Sequence, residues 1–165
     1  MSEPGTGAIR LVAATDVHFA ALATNEAPVG FHLPDGGIDA REVIEMLGAL
    51  ARTVRTQIDP AAWLIVSDEE VVGLCSITKC FVSPGVVEIG YGIAPERRGR
   101  GFATRAVGIL LVLARADKRI AIVVAETAVD NLRSQAALEK NGFVRTGGRV
   151  DPDDGAVYCW QVAVS

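Results

Sequence analysis

Between Ala62 and Ala125 the spacing of apolar residues changes twice, and no other feature of the chain restricts its fold so much. Ala62 to Val66, Val71 to Phe81 and Val86 to Ile93 read as strands, separated by the turns Asp68-Glu69-Glu70 and Ser83-Pro84-Gly85. They predict an antiparallel meander. After Pro95 the period becomes helical. Ala103, Ala106, Val107, Leu110, Leu111 and Ala114 recur at threes and fours, predicting a helix from about Gly101 to Ala116. Ile120 to Ala125 follows as an unbroken apolar run, the pattern of a strand covered on both faces. Strand, helix, strand in that order predicts a right-handed crossover and a parallel pair.

The flanks complete the outline. Ile9 to Ala13 alternates weakly as a first strand, and Thr15-Asp16 offers an N-cap for a short helix to about Thr24. Asn25 to Gly37 reads as a loop. Asp39 and Glu42 have capping-box spacing and predict a helix to about Thr56, with Val43, Met46, Leu47, Leu50 and Val54 as its buried stripe. Asn131 caps another helix that stops at Asn141-Gly142. Phe143 to Val150 and Ala156 to Val164 predict a closing hairpin over the loop Asp151 to Gly155.

At 165 residues and 50% hydrophobic, the chain predicts a single domain, 1–165, with an ample core. Only 5% is aromatic, so that core is aliphatic. Cys75, Cys80 and Cys159 are an odd number without zinc-site spacing, and they read as reduced, buried thiols of a cytoplasmic protein with no metal. Residues 1–7 are short and polar and lack the regions of a signal peptide. The longest apolar run, Val107 to Ala114, is far short of a membrane span. A net charge of −4 argues against general nucleic-acid binding.

Within that acidic chain the positive charge is concentrated. Arg97, Arg98, Arg100 and Arg105, four of the thirteen arginines, fall in nine residues where a strand hands over to a helix. Gly99 and Gly101 let the backbone curl so that successive N–H groups converge. The next helix adds its own unpaired N–H groups and the positive end of its dipole. Such a turn suits a polyanion, most naturally a pyrophosphate. No Gly-Lys-Ser/Thr follows, so it is not a Walker loop, and Gly99-Arg100-Gly101 lacks the third glycine of a dinucleotide fingerprint. A solvated turn capping a helix, or another nucleotide site, stays open on these residues alone. Gly90 and Gly92 interrupt the preceding strand, as at a bulge or at a close approach by a ligand.

Arg98-x-x-Gly101-x-Ala103, after a strand ending Ile93-Ala94-Pro95, resembles the acyl-coenzyme-A-binding motif of the GNAT N-acetyltransferase superfamily. Asn131-Leu132-Arg133-Ser134 with Leu138-Glu139-Lys140-Asn141-Gly142-Phe143 is similar to the family's second motif. Glu88-Ile89-Gly90-Tyr91 resembles the ribosomal-protein N-terminal acetyltransferase (RimJ/RimL-type) branch. The resemblance implies an α/β (α+β) fold with a mixed, mostly antiparallel central sheet of about seven strands, a splayed parallel pair and about four helices.

It also implies acetyl-CoA as co-substrate and a set of roles. The backbone of Arg98, Gly99, Arg100, Gly101, Phe102, Ala103 and Thr104 would hold the pyrophosphate. The backbone from Tyr91 through Ile93 to Ala94 would bind the pantetheine like an added strand, and Asn131 would hydrogen-bond that arm. The Ile93 N–H would polarise the thioester carbonyl. Glu88 is the candidate base, through water. Seven residues after Asn131, where many members carry a Tyr acid, this chain has Leu138; Ser134 is the candidate acid instead. The acceptor would be a small-molecule or peptide amine, held by the loop Asn25–Gly37, the helix after it and the acidic loop Asp151–Gly155. Homodimerisation also follows from the resemblance. A catalytically idle acyl-CoA sensor on the same fold is the alternative, and His18 and His32 read as structural or surface residues.

Overall fold

The chain runs β1 (Ile9–Ala13), α1 (Asp16–Ala23), α2 (Arg41–Val54), β2 (Ala62–Ser67), β3 (Glu70–Cys80), β4 (Val86–Ile93), α3 (Phe102–Ala116), β5 (Ile122–Ala128), α4 (Leu132–Lys140), β6 (Val144–Asp151) and β7 (Gly155–Ala163). The computed structural model describes residues 8–165, and the polar segment read above as lacking a leader lies outside them. The seven strands form one sheet in the order β1-β2-β3-β4-β5-β7-β6. Every neighbouring pair is antiparallel except β4–β5, the parallel pair that the strand–helix–strand order requires.

Each face of the sheet has its own apolar cluster. Phe102, Val107, Leu110 and Leu111 of α3 and Leu138 of α4 pack on Val87, Ile89, Val123 and Trp160. On the other face Phe19 and Leu22 of α1 and Ile44 and Ala51 of α2 cover Leu64, Val66, Val71 and Leu74 of β2 and β3. These side chains are aliphatic with few exceptions, as the composition requires.

Several local expectations are corrected. Asp39 does not cap α2: its Oδ1 accepts from the adjacent Ala40 N–H at 2.7 Å, and Ala40 becomes the N-cap with no side-chain bond. The inner stripe of α2 is Ile44, Gly48, Ala51 and Val54, while Met46 stands 57% exposed. Close packing turns the helix this way, since a Cβ at Gly48 would stand only 3.1 Å from that of Phe19 in α1. In the β3–β4 pairing the bulge lies in β3 at Ile77/Lys79, and the glycine-bearing β4 pairs with β3 on either side of it. Cys75 and Cys80 are buried, but Cys159 is only partly so; all three are free, as expected.

β5 also departs from its expectation. A turn occupies Asp117–Ile120, closed by the Ile120 N–H on the Asp117 carbonyl, so the strand starts at Ile122. Its burial alternates instead of being complete. Val123, Ala125 and Thr127 face the core, and Trp160 Nε1 donates to Thr127 Oγ1 at 2.9 Å. The other face is half open because α1 and α2 pack over β2 and β3.

One further property of β5 positions everything that follows. It pairs with β4 at only three positions, Val86–Ile122, Val87–Val123 and Glu88–Val124. Beyond Glu88 the strands part, β4 following β3 and β5 following β7. A wedge-shaped gap opens in the sheet.

Candidate active site

The direction of the β4 amides in this gap follows from strand alternation. Ala94 donates its N–H to Val72 O on the β3 side at 2.8 Å, and Val86 O accepts from Phe81 N–H on the same side. Even-numbered residues of β4 therefore face β3, and Tyr91 and Ile93 turn their N–H and C=O groups into the gap. The Ile93 carbonyl is met there by Arg98 Nε at 3.2 Å. The same alternation removes Ala94 from the candidates with a free amide: it is buried, and its N–H is spent on β3.

The gap leads to a helix start without a side-chain cap. Gly99 and Gly101 both adopt φ +79°, a left-handed conformation that glycine takes without strain, and Gly101 is the N-cap of α3. Among the described residues no side chain caps the first-turn amides of α3, so donors at its positive end stay available. Across the opening α4 begins at Asn131, whose Oδ1 accepts from the Ser134 N–H at 3.2 Å. Together they border a cleft of about 710 Å³ lined by Tyr91, Ile93, Arg98, Gly99, Gly101, Phe102, Ala103, Thr104, Asn131 and Ser134, all expected from the sequence.

The basic knot is less uniform than its sequence suggests. Arg97 is engaged by Glu70 through Nε at 2.6 Å and Nη2 at 2.9 Å, and this pairing holds its guanidinium above its ordinary range. Arg105 folds back onto the Arg100 carbonyl at 2.6 Å and lies over the Phe102 ring. Arg100 is exposed and does not line the cleft. Arg98 and the Glu70-paired Arg97 remain at the wall, joined by two cations that the sequence reading missed, Arg133 and Lys140. Their signal was helical spacing: positions 133, 137 and 140 lie on one face of α4.

Glu88 lies elsewhere. Its neighbours Val87 and Ile89 pack on α3, so alternation sends Glu88 to the opposite face of the sheet, at the last position where β4 and β5 pair. Its Oε2 accepts from Thr78 Oγ1 at 2.9 Å, with Lys79 Nζ 3.9 Å away. Among the cleft's hydroxyls, Tyr91 reaches Ser134 Oγ at 2.8 Å. Burial pushes the Tyr91 phenol up, and the Ser134 bond opposes that shift. Leu138 is fully buried in the core.

The family model described as "Acetyltransferase (GNAT) domain" matches residues 8–144. The chain belongs to this family. A protein of Bacillus subtilis (strain 168), "Uncharacterized N-acetyltransferase YjdG", is 31% identical over 85 residues, covering 50% of this chain and 51% of that protein. The match thus spans about half the length of that curated relative. Among solved structures, RimL, a ribosomal L7/L12 alpha-N-protein acetyltransferase in complex with coenzyme A, superimposes with a TM-score of 0.72 at 20% identity over 97% of this chain and 96% of that chain. The aminoglycoside acetyltransferase AAC(6')-Ib in complex with coenzyme A gives 0.68 at 19% identity over 94% and 95%. At these identities the structures establish the GNAT fold: a mixed, mostly antiparallel seven-stranded sheet with one parallel pair and four helices.

His18 and His32 have structural occupations, as the sequence reading has them. His18 closes the capping box of α1, its Nδ1 accepting from Thr15 N–H at 3.1 Å, and the His32 backbone bonds Glu69 and Val71. In the acidic loop Asp151 is taken up internally by the amides of Asp153 and Asp154 and by Arg149. That leaves Asp153 and Asp154 exposed to solvent.

Proposed function

We propose that residues 1–165 form a single N-acetyltransferase domain that transfers the acetyl group of acetyl-CoA to a primary amine by direct attack in a ternary complex. The observation that carries this reading is the juxtaposition of the open β4–β5 gap with the uncapped start of α3. One presents strand amides to an extended amide-bearing chain, the other presents helix amides to a pyrophosphate. Coenzyme A has both parts in that order.

The roles follow from position. Amides of Gly99 to Thr104, with Arg98, hold the pyrophosphate; Arg133 and Lys140 add charge across the cleft. Tyr91 and Ile93 pair with the pantetheine, and the Ile93 N–H steadies the oxyanion as it develops. Asn131 serves twice, because its Oδ1 caps α4 and its Nδ2 is left for a pantetheine carbonyl. Glu88, on the far face at the edge of the gap, takes the amine's proton through water, so donor and acceptor approach from opposite faces of the sheet. Ser134 returns a proton to the departing sulfur.

The acceptor is a protein N-terminus or a small-molecule amine, in keeping with a RimJ/RimL-type branch, and the exposed Asp153 and Asp154 favour a cationic one. We extend the proposal to a cytoplasmic homodimer. Free thiols suit a reducing compartment, and β6 leaves an edge of the sheet unpaired. Among the described residues no helix is long and apolar enough to cross a membrane.

The test combines a thermal-shift screen with an assay for thiol release from acetyl-CoA over a panel of amines. A rise in Tm with CoA and thiol release with at least one amine is the expected result. A CoA shift without release from any amine would leave an idle acyl-CoA-binding module. A shift with ATP and none with CoA would defeat the reading altogether.

A further inference from the structure

Ser134 cannot both donate to Tyr91 and protonate a departing thiolate, because its hydroxyl carries one proton. The phenol of Tyr91 lies 2.8 Å from Ser134 Oγ and 3.1 Å from the Ser134 carbonyl oxygen, so two arrangements are available. In one, Tyr91 donates to the carbonyl and accepts from the Ser134 hydroxyl. In the other, Tyr91 donates to Oγ, and the Ser134 proton is free to point into the cleft. Both residues line that cleft, and the Asn131 side chain fixes the first turn of α4 that carries Ser134.

We propose that Tyr91 is the proton source behind Ser134, a phenol delivered from β4 that replaces the hydroxyl Leu138 lacks. This inference rests on the acetyltransferase reading above. When the tetrahedral adduct collapses, the C–S bond breaks and its electron pair goes to sulfur. The Ser134 proton moves to that sulfur, and Oγ takes the proton of Tyr91. The tyrosinate is then reprotonated from water through the open cleft. The amine's own proton leaves on the other face through Glu88, so no co-reactant is required. Tyr91 acts through Ser134 and is a positioning and proton-supplying residue.

The geometry also separates this role from packing. The Tyr91 ring sits against the same apolar cluster as Ile89 and Phe102, and a phenylalanine keeps that contact while removing the proton. The decisive experiment compares Tyr91→Phe with wild type on acetyl-CoA and on its selenium analogue, acetyl-selenocoenzyme A, whose selenolate leaves without being protonated. The expected result is a fall in kcat of about tenfold on the thioester, KM for acetyl-CoA within about twofold, and no loss on the selenoester. In the Ser134→Ala background the second substitution costs nothing more, because the two hydroxyls act in series.

An unchanged kcat on the thioester overturns the inference, as do equal losses on both donors, which mark packing alone. Should Tyr91→Phe not fold, 3-fluorotyrosine at position 91 keeps the shape and acidifies the hydroxyl. It is expected to change kcat on the thioester alone, and no change there overturns the inference. Absence of thiol release from wild type with every amine removes the acetyltransferase reading itself. Release that Tyr91→Phe leaves untouched removes only the role of Tyr91.

Discussion

The two ends of the β4–β5 junction are built from the same pair of strands and do opposite things. At the closed end Gly85 O accepts from both Ala121 and Ile122 N–H groups, and Val87 and Val123 are each 1% exposed. At the open end β5 is carried off along seven register pairs with β7, and Tyr91 and Ile93 keep amides that no strand satisfies. Unpaired strand edges normally invite aggregation. Here the edge lies inside a cleft walled by α3 and α4, where a slender chain can enter and another sheet cannot. The lesson is that a sheet makes a binding surface by withholding a partner, with no special residues on the strand itself.

If the closed end is only a clasp, damage there should destroy the fold before it affects chemistry. Val123→Asp places a charge in the core with no cation beside it and is expected to cost about 4 kcal/mol or more of stability, read from denaturant unfolding. A folded variant with normal stability would break the comparison. Glu88 sits on the boundary, as the last residue paired to β5. Glu88→Gln keeps the Thr78 contact and removes the base. We expect kcat to fall by about a hundredfold, with Tm and KM for acetyl-CoA little changed. A variant with undiminished kcat would move the base elsewhere on that face.

At the open end the critical positions are the glycines. A Cβ at Gly101 meets nothing closer than Arg105 Nη2 at 3.5 Å, so space is not the obstacle. The obstacle is φ +79°, which a β-branched residue resists at a cost on the order of 1–3 kcal/mol. Gly101→Val is therefore expected to remain folded while its affinity for CoA drops about tenfold, measured by calorimetry and by the loss of the CoA-induced Tm shift. Unchanged affinity would place the pyrophosphate away from α3.

Much of this is legible in the sequence alone. The change of period around Pro95 yields the meander, the crossover and the parallel pair, since periodicity reports which face each element buries. The Gly99–Gly101 turn was equally clear, because its positive φ angles leave little choice of residue. Three features were not legible. Arg97 and Arg105 looked like phosphate ligands, yet pairing with Glu70 and with backbone carbonyls is a long-range or local choice that composition does not encode. Arg133 and Lys140 join the site only because α4 crosses the start of α3. The phenol of Tyr91 reaches Ser134 across 43 positions of sequence, a contact that only the packed sheet and helix create.

The smallest effect concerns what keeps β5 on its own side of the gap. On the diverging part of β5, Glu126 is bridged by Arg149 of β6 at 2.5 and 2.7 Å, on the face opposite Thr127. The guanidinium, aided by the nearby Cys159 thiol, outweighs burial and holds the Glu126 carboxyl below its ordinary range. Stabilisation from such a group is complete above the unfolded glutamate's pKa and disappears as pH falls through the lower folded value. The Tm difference between wild type and Glu126→Gln should thus be widest near neutrality, close on acidification and shrink in high salt. Asp151 is also held low, first by the amides of Asp154 and Asp153, which the substitution leaves in place. Because the β7 ladder rather than this exposed bridge sets the course of β5, the CoA-induced Tm shift should be the same in both. A smaller shift in the variant would show that the gap is held open by one surface ion pair, and the contrast between the two ends would then rest on charge instead of on strand pairing.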